Sequence, residues 1–123
     1  MANDFKRNTV ASVTDSTTGA SADAIYTTPA GAGSTALESI VIGINLCNKT
    51  ASNITGSVFL DNYDGTNDVY IAKDLIIPAK STVEIMQGNK IVLQNNGTAG
   101  DVIRAETDTA SALDVTLSVL EDV

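Results

Sequence analysis

Three carboxylates in one short polar stretch, Asp61, Asp64 and Asp68 around Gly65, are the most chemically suggestive residues in the sequence. Oxygen ligands alternating along a loop are how many proteins hold calcium, which makes this trio a calcium candidate. The spacing argues against it. Tyr63 stands where a third ligand would fall, no Glu closes the loop, and Asp-Gly is a common hairpin apex. A plain turn is the simpler expectation. Other chemical equipment is missing. The chain has no His, which removes Ser-His-Asp and Cys-His arrangements, the usual general base and most zinc sites. Cys47 is the single cysteine, so it has no partner for an intrachain disulfide or for zinc. It falls in a strand expected to be half buried and reads as a small inert core residue. No glycine-rich phosphate loop is present. The remaining acidic residues fall mostly in expected turns, with nothing to set two across a cleft. The sequence therefore predicts no catalytic residue, no cofactor and no enzyme.

The charge balance narrows the partners. Seven basic residues stand against fifteen acidic ones, for a net charge of -8. Duplex nucleic acid is bound mainly by neutralising phosphates with Lys and Arg, so it is an improbable partner. Aromatic residues are 4% of the chain with no Trp, too few to build a stacking platform for single strands. The longest apolar runs are far short of a membrane span. The N-terminus carries Lys6 and Arg7 with no apolar run behind them, so no signal peptide is expected and synthesis in a cytosol is. Charged residues are only 18%, which suits a surface meant to be covered by another protein.

At 123 residues the chain can bury a core without metal or disulfide help. The element that organises it is Glu38 to Cys47, where Ile40, Ile42, Ile44 and Leu46 are expected inward and Val41, Gly43, Asn45 and Cys47 outward. β-Branched residues at period two mark a strand. Residues 54–60 alternate likewise, with Ile54, Gly56, Val58 and Leu60 against Thr55, Ser57 and Phe59, and the two strands are expected to form a hairpin. Further strands are expected at 24–28, 69–77 (bent near Lys73-Asp74), 82–86, 91–93, 102–106 and 113–119. In the last, Leu113, Val115, Leu117 and Val119 point inward. No segment keeps helical apolar spacing for more than about one turn. The expected fold is all-β, an antiparallel β-sandwich of about eight strands, jelly-roll-like, with almost no helix. Residues 24–123 form the single domain, and residues 1–23 are a polar N-terminal arm or a weak first strand. Phe5, Lys6 and Arg7 stand out in that segment as a partner interface.

Three stretches carry a resemblance: the opening Met-Ala-Asn-Asp-Phe-Lys-Arg; Ile25-Tyr-Thr-Thr-Pro-Ala-Gly31 with Ile40 to Ser52; and Asp74-Leu-Ile-Ile-Pro-Ala-Lys-Ser81 with Gly88 to Leu93 and Val115 to Glu121. In these the chain resembles small structural proteins of tailed bacteriophages, especially those of marine bacteria and cyanobacteria. The resemblance covers nearly the whole chain, in strand-and-turn patterns that carry no site chemistry. It implies a virion component made in the bacterial host cytoplasm. A capsid decoration (cement) protein fits the small β-domain, with the major capsid protein as partner. A trimer suits the threefold joints of an icosahedral shell. A tail, neck or fibre component contacting tail proteins, with a receptor- or glycan-binding role, is the alternative.

Overall fold

A computed structural model describes residues 3–16, 19, 21–63 and 68–122. Apolar alternation broken by Gly, Pro and Asn turns gives nine strands among the described residues, and no helix. They are β1 (Asn3–Val10), β2 (Asp23–Thr27), β3 (Leu37–Asn48), β4 (Ile54–Asp61), β5 (Asp68–Ile77), β6 (Thr82–Glu84), β7 (Ile91–Asn95), β8 (Val102–Thr107) and β9 (Leu113–Asp122). One sheet runs β1-β9-β3, with β6 and β7 both on the far edge of β3; the other runs β2-β8-β4-β5. All pairings between these strands are antiparallel. β6 takes Asn45 to Cys47 of β3 and β7 takes Leu37 to Val41, so the two act as one interrupted strand. Counted that way, the strand order is that of a jelly roll, in which only β4–β5 and the β6–β7 interruption stay within one sheet.

The core lies between the sheets. β9 supplies Leu113, Val115, Leu117 and Val119, all at most 1% exposed, as its alternation predicts. Val41, Ile44, Leu46 and Leu93 join them from the same sheet, and Ile54, Val58, Ile77, Ile103 and Ala105 face them from the other. Each large side chain so buried contributes about 1.5–3 kcal/mol.

β3 departs from the expected phase. Its pairing with β9 skips a residue between Val41 and Gly43, and such a bulge moves the chain to the other face at that point. Leu37, Ser39 and Val41 point inward before it, and Ile44, Leu46 and Asn48 after it. Ile40 and Ile42, expected in the core, therefore face outward. The break is held by Glu84. Its Oε2 accepts the Ile44 N–H at 2.8 Å, while Oε1 accepts the Gln87 N–H at 3.0 Å and the Met86 N–H. A carboxylate thus stands in where the interrupted edge has no carbonyl to offer.

The expected β3–β4 hairpin is also replaced. β3 and β4 lie in different sheets, and residues 48–53 arch between them. Asn48 fixes the arch. It is fully buried, its Nδ2 reaches the carbonyls of Ser52, Ile77 and Pro78 at 2.8–3.1 Å, and its Oδ1 accepts the Thr50 N–H at 2.9 Å. A hairpin and an arch both join two strands with apolar inward faces, so alternation alone does not separate them. β4 itself is buried on both faces from Gly56 to Phe59, because the described residues between Ser12 and Ala22 fold over its outer side.

Candidate functional site

Asp61 and Asp68 are register partners at the loop end of the β4–β5 hairpin; Asp64 lies outside the described residues. Arg104 Nε donates to Asp61 Oδ2 at 3.0 Å, so that carboxylate already has a cation. Desolvation first, and the Asp61 charge second, raise the Asp68 carboxyl above its ordinary value. Among the described residues no three His, Cys, Asp or Glu side chains gather as a metal-holding group. Cys47 is half buried on the outer side of β3, opposite Asp114, the side its place in the alternation predicts, so it is not the core residue its type suggested.

The expected interface residues Phe5, Lys6 and Arg7 sit on β1, paired along its length with β9. Alternation splits them. Lys6 turns inward and sets Nζ 3.1 Å from Glu121 Oε1. Glu121 is 3% exposed, and its other oxygen accepts from Tyr26 Oη, which lies 3.0 Å from Ser39 Oγ. The hydrogen bond and charge of Glu121 raise the Lys6 ammonium pKa. Burial, then the Glu121 contact, push the Tyr26 hydroxyl well above its ordinary value. A tyrosine shifted that way is a poorer acid, so its nucleophilic phenolate is scarce near neutral pH. This cluster joins β1, β2, β3 and β9.

Phe5 turns outward and is 75% exposed, the most open large apolar side chain of the described residues. It does not stand alone. Phe5 pairs with Leu120, Leu120 with Ile40, and Ile40 with Val92. The pairings lay an apolar row straight across β1, β9, β3 and β7 on the outer face. Val92 is 55% exposed, Leu120 and Ile40 are half buried, and Ile42 adjoins at 38%. Adjacent strands are about 4.8 Å apart, so the row is roughly 14 Å long before side chains are added. Lys90 and Arg7 flank it on one side, Glu38 and Gln94 on the other, all exposed. Sequence reading found Phe5 but placed Ile40 inside and gave Val92 and Leu120 no role. Their juxtaposition is a property of register, which strand-by-strand alternation does not contain.

A second apolar area follows β5, where Val69 and Ile76 are exposed and Ile71, Leu75, Val83 and Ile85 line a groove of about 290 Å³ at the mouth between the sheets. A polar cleft of about 190 Å³ lies beside the flank of the row, lined by Glu38, Tyr63, Gln94 and Asn96 among others. Asp101 braces it by accepting the Tyr63 and Gln94 N–H groups, each at 2.9 Å. Small-molecule sites usually run from about 300 Å³ upward, so this cleft would hold little more than one ring.

No protein-family model matches the chain, and no curated protein matches it.

Proposed function

We propose that the protein is a non-enzymatic structural component of a bacteriophage virion, a capsid decoration protein that stabilises the head by binding the major capsid protein in many copies. The observation that carries this reading is the distribution of exposed apolar side chains. They collect on the outer face of one sheet and along the β5 edge, as surfaces meant for other proteins do. The buried polar groups hold strands together: Glu84 at the bulge, Asn48 at the arch, Glu121 under β1. The resemblance to small phage structural proteins supplies the setting. On this reading, shape fit and buried area at joints between capsid subunits resist the outward force of packaged DNA. The acidic surface keeps the protein off the DNA itself.

The alternative is a tail, neck or fibre component that touches a host glycan. The cleft between Glu38, Tyr63 and Gln94 supports it with one aromatic face, one carboxylate and one amide. Its small volume makes it the weaker reading. Electron microscopy of particles carrying labelled protein separates the two. Label spread over the head is expected; label confined to the tail, together with glycan binding lost in Tyr63→Ala, would replace the first reading with the second.

A further inference from the structure

We propose that the apolar row on the outer face of the β1-β9-β3-β7 sheet is the contact through which two copies of this chain form a twofold dimer, leaving the β5 edge for the capsid. This deepens the reading of the protein as a contact module and rests on it.

The occupant follows from the charges beside the row. Two copies meeting face to face on a twofold must have the axis in the plane between them. If that axis ran along the strands, each flank would meet its own kind, with Lys90 and Arg7 of one copy facing Arg7 and Lys90 of the other. With the axis along the row, the flanks exchange. Lys90 then meets the Gln94 and Glu38 side of the second copy, while Phe5, Leu120, Ile40 and Val92 each lie over their own counterparts. The row is thus self-complementary in both polarity and charge about one axis only. Like charges set against each other are a penalty, so the second axis is the selected one. Four strands about 4.8 Å apart, three of them eight residues or longer and β7 five, give a face of at most roughly 20 by 26 Å. That is the lower end of specific interfaces, which fits a dimer that forms at micromolar concentration. The β5 edge makes a poorer self-contact. Its strand is broken by a positive φ of 50° at Asp74 and a register shift opposite Gly56 to Val58, features that spoil edge-to-edge pairing.

Sedimentation equilibrium of the purified chain from about 1 to 200 µM tests this. Mass rising toward twice the 12.7 kDa monomer is expected. Val92→Lys and Phe5→Lys, both at exposed positions, are expected to abolish the rise with an unchanged thermal melt, and Ile76→Lys on β5 to leave it intact. In a Cys47→Ser background, a mixture of Lys90→Cys and Gln94→Cys chains is expected to give a disulfide-linked pair. A monomer throughout, a trimer, a dimer indifferent to Val92→Lys and Phe5→Lys, or cross-linking of Lys90→Cys to Arg7→Cys instead would overturn the proposal. None of these outcomes bears on whether the protein is found in particles, so the proposed function stands or falls separately.

Discussion

The outer faces of the two sheets are treated in opposite ways by the same chain. Over the β2-β8-β4-β5 sheet, the described residues between Ser12 and Ala22 close down. Ser16 N–H donates to Thr107 O at 2.8 Å, Gly19 N–H donates to Glu106 Oε1 at 2.8 Å, and Phe59 is 1% exposed beneath. Tyr70 completes the cover, with its ring centroid 5.2 Å from that of Phe59. Over the β1-β9-β3-β7 sheet none of the described residues closes, and a phenylalanine is left 75% exposed at the end of an apolar row. On the proposed reading, the bare face is the one that meets something outside the chain.

The sharpest break of this comparison is a matched pair of truncations. Phe59→Ala is expected to cost about 3–5 kcal/mol, the range for a buried aromatic. Phe5→Ala is expected to change monomer stability by no more than about 0.5 kcal/mol, the range for an exposed site. Urea unfolding at low protein concentration reads both, and similar costs would erase the distinction. Next in size is Glu84→Ala, which strands the N–H groups of Ile44, Met86 and Gln87. A loss of about 2–3 kcal/mol is expected, with faster amide exchange at Ile44 than at Leu117. Uncovering the covered face should cost less. Gly19 has φ +83°, and a Cβ there would lie 3.5 Å from Tyr70 Oη and 3.7 Å from the Phe59 ring. Gly19→Val is expected to destabilise by about 1–2 kcal/mol through backbone strain and to raise binding of a hydrophobic dye.

How much of this was legible beforehand differs by element. β9 was, because its four inward residues alternate without a break. The sandwich and the bend at Lys73-Asp74 were as well, since turn residues and β-branched runs mark them locally. β3 was not. A bulge leaves no mark in composition, and one skipped residue turns Ile40 from core to surface. The candidate contact face was hidden for the same reason. Only Phe5 looked exposed, while Leu120, Ile40 and Val92 became its neighbours through pairings 52 to 115 residues apart in the chain.

The smallest expected effect concerns the hinge between the bare sheet and the cover. The Ser12 N–H, donating at 2.9 Å, and then Lys49 at 3.0 Å hold the Asp114 carboxyl below its ordinary pKa. A carboxylate lowered on folding adds stability above its unfolded pKa and loses it as pH falls through the folded one. Asp114→Asn should therefore be less stable than the parent near neutrality, and the gap should close as pH drops below about 4. Asp114 is 42% exposed, so screening keeps the gap to a few tenths of a kcal/mol. Chemical denaturation across pH reads it; a gap that widened in acid would contradict the assignment.

The most direct measurement asks whether the bare face is covered when the protein is at work. A Val92→Cys chain in a Cys47→Ser background is treated with a maleimide, once as dilute free protein and once in purified virus particles. Rapid labelling of the free protein and strong protection in particles is the predicted result. Equal reactivity in both, or particles that never contain the protein, would contradict the account.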